Sequence, residues 1–490
     1  MLLGAAFLAP ALGGLAWVAY VPLLVALEQR VRAGDRVRTL FALGALSGFA
    51  SNLIGTHWIA RLSDVASTVP WIKYPAWIAA AAYLALFGGL LTAISGWLAR
   101  RLPLALTFPV TLVVVETLRG SGELGFPWFQ PGYSQQVFAP ILQLASLGGV
   151  MLVTLWLAAV NVLITRALLG PARARAVLGA ALVFALPWAW GQRVLDAAPR
   201  GQGPRVALVQ GNIAGEIKWS GQHQDEILRT FLDLTEGAAA SRPAIAIWPE
   251  TATGTYMRRE INQALAVVEL AHRTGVPIFA GFADADLDSL GRPRISNAAA
   301  VFRGDGSSQP TYAKRHLVPF GERMPFEWLI PALAGVNFGQ AEWTPGRGVV
   351  LFPSAAGPFA CLVCFESIFP NLSRESVRAG ARWLVNITND EWFGRSAAIS
   401  QHAAMACFRA VENHVPLARC ANTGLTVLID SNGRMREKLP TFQRGVLVAE
   451  LAPAGIPTFY TRFGDWVGVG CGLALAGFAL LALTARRAPD

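Results

Sequence analysis

Six long apolar segments constrain this 490-residue chain more than any other feature of its sequence. A helix that crosses a membrane needs about 20 mostly apolar residues. The composition agrees, because 53% of the residues are hydrophobic and only 15% are charged, whereas an average soluble domain is about 25% charged. We therefore predict a membrane protein with spans at residues 38–60, 76–99, 102–118, 137–165, 176–192 and 466–485.

The first 27 residues form a further apolar run, which Pro10, Gly13 and Gly14 interrupt midway. The interruption favours two short segments in a hairpin over one long helix. A cleaved signal peptide is the alternative, but the run lacks a basic n-region and further apolar segments follow it. We predict eight spans, with seven as the alternative: about seven in an N-terminal bundle over 1–192 and one within 464–490.

The arginines predict the orientation of these spans, because loops that stay in the cytoplasm carry an excess of Lys and Arg. Arginine-rich loops alternate with loops that are poor in cations. We attribute the net charge of +10 to these arginine-rich loops, because the sequence contains no Lys/Arg-rich tract of the kind that binds nucleic acid. This alternation places residues 193–463 in the periplasm or outside the cell, and the C-terminus in the cytoplasm. The arginine-rich parts are the loops 28–38, 99–102 and 166–175 and the tail 485–488.

Residues 193–463 have the pattern of a soluble domain, with short β-like runs that alternate with amphipathic helices, and this predicts α/β layers. Helical periodicity covers 224–238, 262–273 and 397–413. The turn from Asp430 to Gly433 indicates a hairpin. The predicted strands are 205–210, 244–248, 277–282, 297–302, 348–352, 359–364, 383–388, 426–430 and 445–450.

Glu250 and Lys314 are the first two candidates for catalysis. Glu250 follows an apolar run and the rigid Pro249, at a strand end where α/β folds build active sites; a solvated loop Glu is the alternative. Lys314 is one of only four lysines in an arginine-rich chain, which hints at a need for a compact ammonium, although a surface lysine also fits. His316 has no other His at ligand spacing, so we predict a structural role for it.

Cys364 is the third candidate, because it ends an apolar run and polar residues follow it directly. This setting favours a strand-to-helix elbow that exposes the sulfur beside backbone N–H groups. The alternative is an inert buried thiol, which is our interpretation of Cys361, Cys407 and Cys420. Cys361 and Cys364 have CxxC spacing, but residues three apart on a strand point to opposite faces. Five cysteines, an odd number, do not suggest a disulfide framework.

With Glu250, Lys314 and Cys364 in this order, residues 193–463 resemble the carbon–nitrogen hydrolase (nitrilase) superfamily. With its spans, the chain resembles the apolipoprotein N-acyltransferase family over nearly its whole length. The motifs that carry the resemblance are Trp248-Pro249-Glu250, Lys314-x-His316-Leu317-Val318-Pro319-Phe320-Gly321-Glu322, Cys364-Phe365-Glu366, Asn389-Asp390-x-Trp392-Phe393-Gly394 and Arg419-Cys420-Ala421-Asn422-Thr423-Gly424.

The resemblance implies two stacked β-sheets flanked by helices, an α-β-β-α sandwich, attached to the membrane bundle. It implies Glu250 as general base, Cys364 as nucleophile and Lys314 as stabiliser of the tetrahedral intermediate. These roles agree with thiol chemistry, because a free thiol with a pKa of about 8.5 needs a base or a cation to react near neutral pH. Phe365 stands where the family often has Tyr, which leaves its backbone N–H but no hydroxyl. The other implied residues are Glu322 and Glu366 in support and Trp219, on a mobile loop, in substrate binding.

The reaction that the resemblance implies is acyl transfer in two steps. A glycerophospholipid, by resemblance phosphatidylethanolamine, gives its acyl chain to Cys364 as a thioester. The α-amino group of the S-diacylglyceryl-cysteine of an apolipoprotein then takes the chain. This chemistry needs no metal and no organic cofactor, and it implies a bacterial inner membrane with the catalytic domain on the periplasmic side.

Two alternatives stay open at this point. A membrane-bound amidase would pass the same thioester to water, and its products would separate it from a transferase. A transporter or receptor with a ligand-binding domain would need polar residues in its spans, yet the spans contain few charges beyond Glu116.

The segment 325–339 is strongly apolar and too short to span a membrane. We predict an amphipathic arm that places Trp328 and its apolar neighbours in the bilayer surface, with Gly335 and Gly339 as hinges. Trp328 would then bind substrate. The alternative is a core helix of the catalytic domain.

Overall fold

The computed structural model of the protein describes residues 1–64, 69–197, 201, 203–287, 291–307, 309–330, 332 and 343–484. The chain divides into two compact units. The first contains 1–61, 71–197 and the C-terminal part from 462, and the second contains 62–70 and 198–461. The arginine-rich tail predicted at 485–488 lies outside the described residues.

Helices form the first unit, as its apolar segments predict. They are α1 (Leu2–Ala5), α2 (Val21–Arg32), α3 (Val37–Gly55), α4 (Lys73–Leu98), α5 (Leu104–Arg119), α6 (Ala139–Leu142), α7 (Ala145–Leu169) and α8 (Arg173–Asp196). A 3-10 helix over Pro10–Trp17 separates α1 from α2, which confirms the interruption predicted near Pro10. In α7 the backbone of Gly148 and Gly149 leaves the helical conformation and kinks the helix.

Six helical stretches in the described residues are long and apolar enough to cross a membrane. The 16-residue α5, which contains Pro109 and matches the predicted segment 102–118, is shorter than these. The predicted helical membrane bundle is confirmed, with eight as an approximate count of its spans. The six stretches are Pro10–Arg32, Val37–Arg61, Pro70–Leu98, Ala145–Leu169, Arg173–Asp196 and Trp466–Thr484.

Glu116 and Arg119, at the C-terminal end of α5, form a buried ion pair. Arg119 also donates hydrogen bonds to the backbone carbonyls of Phe126 and Trp128, at 2.8 and 2.6 Å. The pair neutralises two charges that would be costly in an apolar environment, and it fastens the loop that follows α5.

Two six-stranded β-sheets form the centre of the second unit. Their strands are β1 (Arg205–Gln210), β2 (Ala246–Ile247), β3 (Ile278–Leu287), β4 (Pro293–Phe302), β5 (Tyr312–Ala313), β6 (Leu351–Phe352), β7 (Phe359–Val363), β8 (Trp383–Thr388), β9 (Leu417–Ala421), β10 (Val427–Ile429), β11 (Met435–Lys438) and β12 (Gly445–Glu450). One sheet has the order β12-β1-β2-β3-β4-β5, and the other has the order β11-β10-β9-β8-β7-β6. Neighbouring strands run parallel in the middle of each sheet, from β1 to β3 and from β7 to β9.

Helices cover the outer face of each sheet. The helices that follow β1 in the chain are α9 (Gly215–Lys218), α10 (Gln224–Ala239), α11 (Ile261–Thr274), α12 (Pro370–Arg378), α13 (Ala398–Asn413) and α14 (Phe459–Phe463). The last helix, α15 (Trp466–Thr484), belongs to the first unit. The inner faces of the sheets share one core that includes Val206, Phe279, Phe359 and Trp383. Helices α10 and α11 pack outside the first sheet, and α12 and α13 pack outside the second. The predicted α-β-β-α sandwich is confirmed.

Three strands, β5, β9 and β11, lie outside the predicted set. β5 has two residues, β9 contains the buried Arg419, and β11 has mostly exposed residues. Their polar or short sequences lack the alternation from which strands are predicted. The turn from Asp430 to Gly433 joins the antiparallel pair β10 and β11, which confirms the predicted hairpin.

The parallel strands decide where the polar segments meet. Such strands place their carboxyl ends at one edge of a sheet, where α/β folds hold their sites. Glu250 lies three residues after β2, Cys364 follows β7 directly, and Asn389 follows β8 directly. The fold therefore gathers residues that are far apart in the sequence.

Candidate active site

Cys364 occupies a strained turn between β7 and the 3-10 helix Cys364–Ile368. Its φ of +50° lies in the left-handed region, which costs a non-glycine residue about 1–3 kcal/mol. Its carbonyl oxygen lies 3.1 Å from Nε2 of His402 and accepts a hydrogen bond from the hydroxyl of Ser367 at 3.0 Å. The predicted strand-to-helix elbow is confirmed, and backbone strain of this kind is typical of active sites. The prediction that the elbow exposes the sulfur was wrong, because Cys364 packs in the core between the sheets and is 8% exposed.

Cys361 and Cys364 both belong to the core between the two sheets. The prediction that they lie on opposite faces was wrong, because β7 ends at Val363 and its alternation does not continue into the elbow. Cys361 is 2% exposed, and Cys407 and Cys420 are fully buried. These three thiols therefore lie in the core, as predicted.

Glu250 is buried, and both oxygens of its carboxylate have polar partners. Oε1 accepts a hydrogen bond from the side-chain amide of Asn297 at 2.7 Å, and Oε2 accepts one from the backbone N–H of Asn389 at 2.8 Å. Nζ of Lys314 lies 3.4 Å from Oε1. The alternative of a solvated loop glutamate is therefore wrong, since the carboxylate is enclosed and held from three sides.

The ammonium of Lys314 lies between two carboxylates. Nζ is 2.8 Å from Oε1 of Glu322 and 3.4 Å from Oε1 of Glu250, and the side chain is 1% exposed. Burial alone would lower the pKa of Lys314, but the charges of Glu322 and Glu250 raise it above its ordinary value. Lys314 is therefore a fixed, permanently charged ammonium and not a surface lysine.

Burial raises the pKa of the Cys364 thiol, and the charge of Glu250 raises it further, while Lys314 acts in the opposite direction. The resting thiol is neutral at neutral pH and needs a base before it can attack. The structure thus places the thiol, the carboxylate and the ammonium in one enclosed site, a set of groups that can carry out covalent acyl transfer. In the described part of the chain, no three His, Cys, Asp or Glu side chains are grouped so that they could hold a metal ion.

Glu366 ties the elbow to the segment that follows β5. Its carboxylate accepts hydrogen bonds from the backbone N–H groups of Val363 and Arg315, at 2.7 and 2.6 Å. The backbone N–H of His316 and the hydroxyl of Tyr312 also donate to it, at 3.1 and 2.8 Å. Burial raises the pKa of Glu366. These contacts are all with the framework, so Glu366 lies where it can support the elbow and not where it can react.

Comparison with known proteins identifies the family. The sequence family of the apolipoprotein N-acyltransferase N-terminal domain matches residues 1–163, and the carbon–nitrogen hydrolase sequence family matches residues 205–459. An apolipoprotein N-acyltransferase of Geobacter metallireducens is 35% identical over 99% of this chain and 94% of its own length. This chain belongs to the apolipoprotein N-acyltransferase family. Relatives of the same name from Azotobacter vinelandii and Chlorobaculum tepidum are 34% and 32% identical, over 90% and 96% of this chain and 86% and 92% of their own lengths.

Membership of the apolipoprotein N-acyltransferase family decides between the alternatives. The chain is an acyltransferase within the carbon–nitrogen hydrolase superfamily, which confirms the predicted enzyme class. The similar proteins named above are all acyltransferases, so neither the amidase nor the transporter alternative is supported.

In this member of the family, His316 and Phe365 pack against the same aromatic ring. The ring of His316 lies 3.7 Å from that of Phe369, and Phe365 lies 5.2 Å from it. Burial, followed by the charge of Lys314, lowers the pKa of His316 to about 4. His316 is therefore neutral at neutral pH, in agreement with the structural role predicted for it.

The two tryptophans predicted to bind substrate are accessible. Trp219, directly after α9, is 41% exposed, and Trp328 is 66% exposed. Of the predicted arm, residues 325–330 and 332 are described, with Leu329 also 61% exposed. The rest of the arm, including Leu333, Gly335 and Gly339, lies outside the described residues.

Sequence reasoning missed a buried polar network behind the elbow. Asp390 accepts hydrogen bonds from the Thr388 hydroxyl at 2.9 Å and from Nη2 of Arg419 at 2.7 Å. Nδ1 of His402 lies 3.1 Å from Asp390, and its other nitrogen reaches the carbonyl oxygen of Cys364. Asp390 and Arg419 stand in motifs that carried the family resemblance, but the sequence contains no comparable signal for His402.

Proposed function

We propose that this protein moves an acyl chain from a glycerophospholipid to the α-amino group of the S-diacylglyceryl-cysteine at the N-terminus of an apolipoprotein. The chain passes through a thioester on Cys364. One observation carries the proposal: the thiol, the Glu250 carboxylate and the Lys314 ammonium meet in an enclosed site at the ends of β2, β5 and β7. The names of the relatives supply the apolipoprotein acceptor and the amide product.

In the first step Glu250 takes the proton of the Cys364 thiol, and the sulfur attacks the ester carbonyl carbon of the phospholipid. The ammonium of Lys314 and the backbone N–H of Phe365 stabilise the oxyanion that forms. Collapse of the intermediate breaks the C–O bond, and Glu250 returns the proton to the leaving alkoxide. The products are the thioester and a lysophospholipid.

In the second step the neutral amino group of the acceptor attacks the thioester carbonyl carbon. Glu250 takes the surplus proton of the amine and passes it to the departing sulfur, so the C–S bond breaks, an amide forms and the thiol is restored. Glu322 holds the Lys314 ammonium, and Glu366 holds the elbow. These two glutamates are supporting residues.

Both substrates are lipids, so the site must receive them from a membrane surface. Trp219 and Trp328 are the substrate-binding residues of this proposal, because both indoles are exposed. Aromatic and aliphatic side chains of this kind insert at the boundary between headgroups and acyl chains. The proposed acyl donor is phosphatidylethanolamine.

The proposal places residues 1–192 in the membrane as an N-terminal bundle and residues 193–463 in the periplasm as the catalytic domain. Residues 464–490 supply the last span and a cytoplasmic tail. The bacterial inner membrane fits this arrangement, since its cytoplasmic loops are expected to be rich in arginine. Its outer leaflet would then present the acyl donor on the side of the catalytic domain.

The test is thioester formation without acceptor. Purified full-length protein is incubated with phosphatidylethanolamine that carries a labelled acyl chain. We expect one hydroxylamine-labile adduct, located on Cys364 by mass spectrometry, with an equal amount of lysophospholipid. Glu250→Gln should form no adduct, and Lys314→Met should form it about 100-fold or more slowly. An adduct on another residue, or release of free fatty acid in place of amide when acceptor is added, would contradict the proposal.

A further inference from the structure

Lys218 is a buried charge that the proposed mechanism does not use. Two of the four lysines of the chain are fully buried: Lys314 is 1% exposed and Lys218 is 0% exposed. Burial of an ammonium group strongly destabilises the folded state unless ion pairs and hydrogen bonds replace its contacts with water. Lys314 has two carboxylates in contact with its ammonium, so its burial is explained, whereas the burial of Lys218 needs another reason.

Lys218 is the last residue of α9, and its contacts connect the loop that contains Glu250 to Trp219, which directly follows this helix. Its Nζ donates a hydrogen bond to the backbone carbonyl oxygen of Glu250 at 3.2 Å. The same atom lies 5.6 Å from the centre of the Trp219 ring, a cation–π distance. The charges of Glu250 and Glu391 also act on the ammonium. Lys218 therefore contacts both the proposed base and the proposed lipid-binding tryptophan.

Two further contacts hold the short helix α9, which ends at Lys218. The backbone N–H of Gly215, at the start of α9, donates to the carboxylate of Glu391. Gly254, in the loop after Glu250, has a φ of +68°, and a Cβ added there would lie 2.6 Å from the carbonyl oxygen of Lys218. The backbones of the two segments are thus in close contact, and a shift of one is transmitted to the other.

We propose that Lys218 is a positioning residue for acyl transfer: its ammonium holds the backbone of Glu250 in place and couples it to the position of Trp219. An apolar side chain of similar volume would fill the same space without burying a charge, and such replacements are often neutral or stabilising. A charge at this place is therefore explained better by the reaction than by stability. The inference rests on the proposed role of Glu250.

The charge on Lys218 should be sensitive to pH. Burial lowers the pKa of Lys218 to about 8, against the opposite effect of Glu250 and Glu391. Among the described residues, these two carboxylates are the charged groups that act on Lys218, and Trp219 is its neutral neighbour. As the pH rises through this value the ammonium is lost, and its hold on the carbonyl of Glu250 weakens. The rate of thioester formation should then fall on the alkaline side.

The experiment measures thioester formation by the full-length protein with phosphatidylethanolamine vesicles between about pH 6.5 and 9.5. Lys218→Met is compared with Lys438→Met, which removes an exposed lysine on β11 of the same unit. We expect Lys218→Met to lower the maximal rate constant of thioester formation about tenfold or more, with a smaller change in the phospholipid concentration that gives half of this rate, because a hydrogen bond from a charged donor is lost. The alkaline fall should be present in wild type and in Lys438→Met and absent in Lys218→Met.

A second variant keeps the inference testable if Lys218→Met does not fold. Glu391→Gln retains an acceptor for Gly215 but removes one charge that faces Lys218, so it should shift the alkaline fall to lower pH by about half a unit. An unshifted profile in Glu391→Gln, or an unchanged alkaline fall in Lys218→Met, overturns the inference.

Glu250→Gln separates this inference from the proposed function. Normal thioester formation in Glu250→Gln would overturn both the role of the base and the coupling that depends on it. An inactive Glu250→Gln together with a Lys218→Met rate within about twofold of wild type overturns the coupling alone.

Discussion

At the scale of single residues, the strained backbone of Cys364 is stabilised by hydrogen bonds from neighbouring side chains. The positive φ of Cys364 persists because its carbonyl oxygen is held by His402, which is itself fixed by Asp390. Burial alone would raise the pKa of Asp390, but the guanidinium of Arg419 lowers it well below its usual range. The Asp390 carboxylate is therefore charged at neutral pH, and the elbow depends on a buried ion pair behind it.

The two neighbouring cysteines should separate reactivity from packing. Cys364→Ala should abolish acyl transfer because the nucleophile is gone. Cys361→Ala removes only a sulfur from the core between the sheets and should retain activity, with a loss of about 1 kcal/mol in the free energy of unfolding. The assay is amide formation on a diacylglyceryl lipopeptide, run beside thermal unfolding in detergent. Turnover by Cys364→Ala would rule out the thioester.

Asp390→Asn should destabilise the catalytic unit. The change leaves the buried guanidinium of Arg419 without its counter-charge, and breaking a buried pair in this way costs about 3 kcal/mol or more. Thermal unfolding at neutral pH is compared with that of Asp233→Asn, which alters an exposed carboxylate on α10. Equal melting temperatures for the two variants would show that the network does not support the elbow.

At the scale of elements, loops that follow parallel strands hold the candidate site, and exposed loops are proposed to contact lipid. Glu250, Cys364 and Asn389 follow β2, β7 and β8, which run parallel to neighbouring strands, so these residues lie at the carboxyl ends of the strands. The segment Pro325–Ile330, by contrast, begins shortly after Glu322 and exposes Trp328. Exposed apolar side chains on a segment that follows Glu322 closely in the sequence are suited to the proposed interfacial role.

Replacement of Trp328 and Leu329 by Ser should impair transfer from phospholipid in bilayers much more than acylation by a short soluble thioester. The reason is that the predicted arm helps the donor leave the bilayer and takes no part in the chemistry. The matched control is Ile261→Ser with Leu265→Ser on α11, which are 67% and 58% exposed. Equal losses with both donors, together with a lower melting temperature, would favour the core-helix alternative.

For the whole molecule, membrane attachment and catalysis belong to different parts of one chain. The helical unit matches the N-terminal domain of the family, and the sandwich matches the carbon–nitrogen hydrolase domain. The proposed phospholipid donor would explain why such an enzyme is a membrane protein, because the acyl chains of the donor would stay in the bilayer until its ester reached the proposed nucleophile. The proposed orientation would then matter for function, since it decides which leaflet supplies the donor.

The proposed orientation predicts which introduced cysteines are labelled from outside. In intact cells with a permeabilised outer membrane, Ser220→Cys should react with a membrane-impermeant maleimide, and Ala33→Cys should not. Both positions are exposed, and the native cysteines are buried and should contribute little background. The reverse pattern would place the catalytic domain in the cytoplasm and remove the proposed lipoprotein acceptor.

The sequence by itself determined the membrane segments, most of the strands and the candidate triad. These features are local: a span is a continuous apolar run, a strand shows its alternation over a few residues, and Glu250, Lys314 and Cys364 stand inside short motifs. The hairpin at Asp430 could be predicted for the same reason, since a turn depends on residues that adjoin it.

Only the tertiary structure decided which groups contact the triad. Asn389 and Lys218 bind Glu250 from 139 and 32 residues away in the chain, and neither partner could be found from its own surroundings. The elbow also reversed the face predicted for Cys364, because a positive φ ended the alternation of β7. Burial and long-range hydrogen bonds belong to the packed sheets, so the pKa values and the positions of the reacting groups exist only once the sandwich has formed.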